Sequence, residues 1–103
     1  MVSSRLKMVL TEDELKRVTV QEKPNNGIRI IVDVHGMKCY LVRRFINNII
    51  NVAMTAFQLV IIHGFNHGTA IKSMLEQDFS NRRIFEQYSD PFNRGVTHMK
   101  IAA

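Results

Sequence analysis

The chain has 103 residues, of which 46% are hydrophobic and 22% charged, with a formal net charge of +5. That length allows a single domain with one modest core. The longest apolar run, Leu59 to Ile62, is far short of the roughly 20 residues of a membrane span, and Arg5 and Lys7 interrupt the amino terminus, so a cytoplasmic protein is expected. Cys39 is the only cysteine, which excludes an internal disulfide and a cysteine-ligated zinc site.

The charge is unevenly placed. Between Val34 and Leu75 there is no Asp or Glu, whereas Lys38, Arg43, Arg44, Lys72 and three of the four histidines lie there. Chance depletion in an apolar stretch and affinity for an anionic ligand such as phosphate both account for this pattern.

In chain order, Thr11-Glu12-Asp13-Glu14 has the S/T-x-x-E form of a helix start. A helix of about two turns follows, and Val18-Thr19-Val20 favours an extended exit. Lys23 to Gly27 is a break, so residues 1–27 read as a leader or edge element with a solvated acidic cluster. Ile28 to Val34 is a strand, and its consecutive β-branched residues suggest burial on both faces. From Lys38 to about Ala56 the period turns helical, with Leu41, Phe45, Ile49 and Ala53 inward and Arg43, Arg44, Asn47, Asn48 and Asn51 wet. Phe57 to Ile62 is a second buried strand, and Thr69 to Phe79 a second helix with Ile71, Met74, Leu75 and Phe79 inward. Ile84 to Tyr88 and Gly95 to Ala102 are two further strands joined by a turn. The order predicts a two-layer α/β sandwich: a small mixed four-stranded sheet (βαβαββ), its first two strands parallel, its last two antiparallel, and two main helices.

In such units ligands gather at the carboxyl ends of the parallel strands. Asp33 and His35 stand two apart at the end of the first strand, and His63 directly follows the second, so the three are expected to converge. Histidine exchanges protons near neutral pH. Asp33 would orient His35, stabilise its imidazolium or hold a divalent cation. The loop His63-Gly64-Phe65-Asn66-His67-Gly68 opens onto a helix at Thr69, and its free amides, with Lys72 one turn further on, suit a phosphate. It matches neither a Walker loop nor a dinucleotide fingerprint. The competing reading is structural: a hydrogen-bonded loop histidine at each position, with Asp33 capping the turn at Gly36. His67 and His98 are read that way first. What favours the site is that two separate strand ends both finish in His-Gly.

Val32-Asp33-Val34-His35-Gly36-Met37 resembles the LDxHG motif of the small MutS-related (Smr) domain family. Ile61-Ile62-His63-Gly64 with Gly68 resembles its HGxGxG motif, and Gly95-Val96-Thr97 its closing GVT segment, the likeness covering about residues 28–102. The resemblance implies a stand-alone Smr-like domain over residues 28–103, with the fold of the carboxyl-terminal domain of translation initiation factor three. It implies nucleic-acid binding and, in a number of members, nicking of DNA or RNA. Carried over by position, Asp33, His35 and His63 are the catalytic candidates, with Mg or Mn a candidate cofactor. Gly64, Asn66, His67, Gly68, Thr69, Lys72 and Lys38 are the candidates for the nucleic-acid phosphate. Asn66 stands for the second motif's middle glycine, and Phe65 for a basic residue common there. Asn tolerates positive φ, and His67 and Lys72 supply basic groups nearby. A non-catalytic nucleic-acid-binding module, or a protein-interaction domain using residues 1–27, are the alternatives.

Overall fold

A computed structural model describes residues 2–23, 27–65 and 69–103. Helices α1 (Val2–Val9) and α2 (Glu12–Lys16) lead into strand β1 (Val18–Lys23) and strand β2 (Gly27–Asp33). Then come α3 (Cys39–Val52), β3 (Phe57–Ile62), α4 (Ala70–Gln77), β4 (Ile84–Ser89) and β5 (Val96–Ile101). From β2 onward the order is βαβαββ. Among the described residues no helix is long and apolar enough to cross a membrane.

The sheet has five strands rather than the four expected, in the order β1-β2-β3-β5-β4. The extra strand is Val18–Lys23, which pairs antiparallel with β2, Val20 opposite Ile30. Its β-branched alternation marks it as extended, but only the partner on β2 makes it part of the sheet. Strands β2 and β3 are parallel, with Asp33 level with Ile62, and β4 and β5 antiparallel, as the crossover and the short turn demand.

One sheet face carries the core. Ile30, Val32, Leu59, Ile61, Met99 and Ile101 pack with Phe45, Ile46, Ile49 and Ile50 of α3 and with Met74 and Leu75 of α4. The opposite face is not buried, contrary to the reading of β2 and β3 as covered on both sides: Ile31, Val60, Ile62 and His98 are half-buried and Arg29 and Lys100 exposed. The described helices pack on one face alone, which is enough for strands of this length to alternate.

The amino-terminal segment belongs to this core. Leu6 and Leu10 are buried in it, each apolar side chain worth roughly 2 kcal/mol. The expected capping box is present: Thr11 Oγ1 accepts from the Glu14 amide at 3.1 Å, and Glu14 Oε1 accepts from the Thr11 amide at 2.9 Å. Helix α2 is nearer one turn than two, and Glu14 is buried instead of solvated.

Helix α3 ends at Ala53, where Arg83 gathers the loose carbonyls. Its guanidinium donates to the oxygens of Ile50, Ala53 (2.7 Å), Thr55 (3.3 Å) and Ala102 (2.8 Å). Those of Ile50 and Ala53 are carbonyls that the end of α3 leaves without intrahelical partners, and those of Thr55 and Ala102 tie the following loop and the end of β5 to the same guanidinium.

Candidate functional site

The carboxyl ends of β2 and β3 meet at one groove of about 590 Å³. Among the described residues its apolar walls include Met37, Phe65 and Ile71, and its polar groups belong to His35, His63 and Lys72. No carboxylate lines it among the described residues. Asn66, His67 and Gly68, expected in the phosphate loop, lie outside the described residues.

Asp33 and His35 form a pair. Asp33 Oδ1 accepts from His35 Nδ1 at 2.5 Å and from the His35 amide at 3.2 Å. Partial burial pushes the Asp33 carboxyl up, but the His35 hydrogen bonds and the His35 and Arg17 charges outweigh it, leaving it below the ordinary value of 3.8. The carboxylate is therefore ionised at neutral pH and can only accept. The Nδ1 proton is thereby fixed toward Asp33, and the neutral ring points an Nε2 lone pair away from it. His35 Nε2 has no hydrogen-bond partner among the described residues, and the side chain is 68% exposed.

A second element holds this pair. Arg17, which caps the end of α2 just before β1, donates from Nη1 to the Asp33 carbonyl at 3.0 Å and to the His35 carbonyl at 3.5 Å. The Asp33 amide returns a bond to the Arg17 carbonyl at 3.0 Å. Nothing in the local sequence around Arg17 marks this role, because it depends on the β1–β2 pairing.

His63 reaches the same end of the sheet but is differently placed. It is buried, with Nδ1 donating to the Gly64 carbonyl at 2.8 Å and Nε2 bonded to Thr97 Oγ1 at 2.8 Å. Since a carbonyl only accepts, Nδ1 carries the proton, and in the neutral ring Nε2 accepts from the Thr97 hydroxyl. Both nitrogens are occupied, so His63 positions the loop, whereas His35 faces solvent.

The Gly64 amide is likewise engaged. It and the His63 amide both donate to the Gly95 carbonyl, at 3.0 and 2.8 Å. Gly64 has φ 73°, a left-handed conformation that favours glycine. A Cβ on Gly95 would lie 3.0 Å from the Gly64 Cα, so the β4–β5 turn can approach this loop only as glycine. The Gly95-Val96-Thr97 segment thus acts as a backbone acceptor, a close contact and the partner of His63.

Of the remaining candidates, Lys72 lines the groove. Lys38 and Thr69 are the residues capping the starts of α3 and α4, neither with a side-chain capping bond, and neither lines the groove. Arg43 is paired with Asp78 at 2.7 Å and so ties α3 to α4. Among the described residues no three His, Cys, Asp or Glu side chains gather closely enough to hold a metal ion. Asp33 offers a single carboxylate with one oxygen already taken by two His35 donors, a donor set that does not fit a resident Mg or Mn.

The chain was compared with family models, curated proteins and solved structures, and none of them matches it.

Proposed function

We propose that the protein binds nucleic acid through this groove and nicks phosphodiester bonds, as a domain of the small MutS-related type. The observation that carries the reading is the Asp33–His35 pair, whose Nε2 has no partner among the described residues and which stands at a groove whose described lining includes Lys72 and no acid. An imidazole oriented by an ionised carboxylate is a general base whose imidazolium is stabilised as it forms. On this reading His35 takes a proton from the attacking water, or from the 2′-hydroxyl of RNA, as the new P–O bond forms. The P–O bond to the leaving oxygen breaks, that oxygen takes up a proton from solvent, and Lys72 offsets charge on the phosphate. Asp33 and Arg17 position His35, while His63 and Thr97 hold the loop. The order β2-α3-β3-α4-β4-β5 supports a fold over residues 28–103 like the carboxyl-terminal domain of translation initiation factor three.

Binding without cleavage is the second reading. It is favoured by His63, whose two occupied nitrogens leave one described histidine for proton transfer. One experiment separates them: pure protein with supercoiled plasmid and structured RNA, with and without Mg²⁺ or Mn²⁺, beside His35→Ala. Nicks that disappear in the variant support catalysis. Nicks that persist undiminished come from a contaminant. Salt-dependent binding without nicks under any condition supports the binding module, with a log–log slope of roughly −0.9 per duplex phosphate contacted.

A further inference from the structure

Phe65 follows directly on Gly64 in the wall of the groove, and 47% of it is exposed. A phenyl ring left in water at a loop start contributes little to the core and forgoes the transfer energy that burial provides. It shares the groove with His35 and Lys72, and Met37 and Ile71 add apolar surface between the loops and α4. The groove is therefore two-sided in its chemistry: a cation and an imidazole for an anion, and an aromatic face with aliphatic neighbours for a flat apolar ring. A volume of about 590 Å³ lies within the roughly 300–1,000 Å³ of small-ligand sites. One nucleotide has both halves of that chemistry.

Resting on the nucleic-acid reading above, we propose that Phe65 stacks on an unpaired base next to the phosphate that faces His35 and Lys72, so that the ligand is single-stranded or looped nucleic acid. Inside a duplex both faces of a base are covered by its neighbours, and a phenyl ring can reach only a base outside the stack. A basic side chain at this position would attract any backbone, paired or not. Phenylalanine instead rewards an accessible base face.

The test uses fluorescence anisotropy of oligo-dT, oligo-U and a blunt mixed-sequence duplex at one salt concentration. Wild type, Phe65→Ala and Phe65→Trp are compared. Stacking on one base is worth about 1.4 kcal/mol or more, so Phe65→Ala is expected to bind the single strands about tenfold more weakly while its duplex affinity is unchanged. The chain has no tryptophan, so Phe65→Trp introduces a single reporter, and its emission is expected to be quenched by single strands and not by the duplex. A loss with either oligonucleotide supports the stacking. Unchanged single-strand affinity in Phe65→Ala, an equal loss for duplex and single strand, or a Phe65→Trp emission that stays constant at saturation overturns it while leaving nucleic-acid binding in place. Wild-type protein that binds none of the three probes overturns the nucleic-acid reading and the stacking with it.

Discussion

Two Asp–His pairs occupy the two halves of the sheet and differ in what the second ring nitrogen meets. At the β2 end, His35 bonds Asp33 through Nδ1, and the two side chains are 68% and 43% exposed. On β5, His98 donates from Nε2 to Asp90 at 2.8 Å, accepts at Nδ1 from the Gln58 amide at 3.3 Å, and stacks on Tyr88 with ring centres 5.0 Å apart. Its side chain is 15% exposed and that of Asp90 25%. The His98 hydrogen bond, then the Phe92 amide, hold the Asp90 carboxyl low. The carboxylates are thus similar, both kept ionised by a neighbouring imidazole. Proton transfer requires an unoccupied nitrogen, which among the described residues the β2 pair offers and the β5 pair does not.

The largest expected effect breaks the comparison outright. On the proposed reading, His35→Ala lowers nicking by about 100-fold or more, the lower end of what a positioned base contributes, with a thermal melt close to wild type because the side chain is exposed. His98→Ala leaves the nicking rate within a few-fold of wild type. If the two variants lose activity equally, the distinction between the pairs fails.

Thr97→Val probes the third histidine. It keeps the shape but removes the hydroxyl on His63 Nε2, leaving a buried acceptor unsatisfied. A loss of about 2 kcal/mol in unfolding free energy is expected, roughly 30-fold in the equilibrium constant, read from urea midpoints.

Arg17→Ala removes the clamp on the Asp33 and His35 carbonyls. Misplacement of the base is expected to lower nicking by roughly tenfold while the melt moves little. An Arg17→Ala variant with wild-type activity would show that the β2–α3 turn holds itself.

The smallest effect is the dependence on pH. Both Asp pKa values are lower in the folded chain than the ordinary 3.8. Their stabilising contribution is therefore complete above that value and is lost as the pH falls through the folded-state values. Asp33→Asn and Asp90→Asn are each expected to flatten the acid limb of unfolding stability measured between about pH 5 and pH 2. A limb as steep as that of wild type in either variant would show that the corresponding bond is not kept in solution.

Much of the architecture was legible because it is written in local periodicity. The β-branched runs of β2 and β3, the helical stripe from Val42 to Ala53 and the Thr11–Glu14 capping box each reveal themselves within a few residues. Both His-Gly strand ends were legible for the same reason. The place of β1 was not, because Val18-Thr19-Val20 announces an extended chain without naming its partner. Arg83 looks like any surface arginine until the end of α3 is brought against it. One-sided burial of the sheet was obscured by β-branched residues that suit an edge or an open face as well as an interior.

The sequence by itself determined the elements, their order and the presence of Asp33, His35 and His63 at two strand ends, since these follow from side-chain pattern and chain connectivity. Only the tertiary structure decided what each of those side chains is able to do. It spent both nitrogens of His63 on Gly64 and Thr97, used the Gly64 amide on Gly95, and anchored His35 through Arg17 while leaving its Nε2 without a partner among the described residues. Hydrogen-bond valence is satisfied between residues far apart in the chain, so no local pattern records which donor or acceptor remains for a ligand.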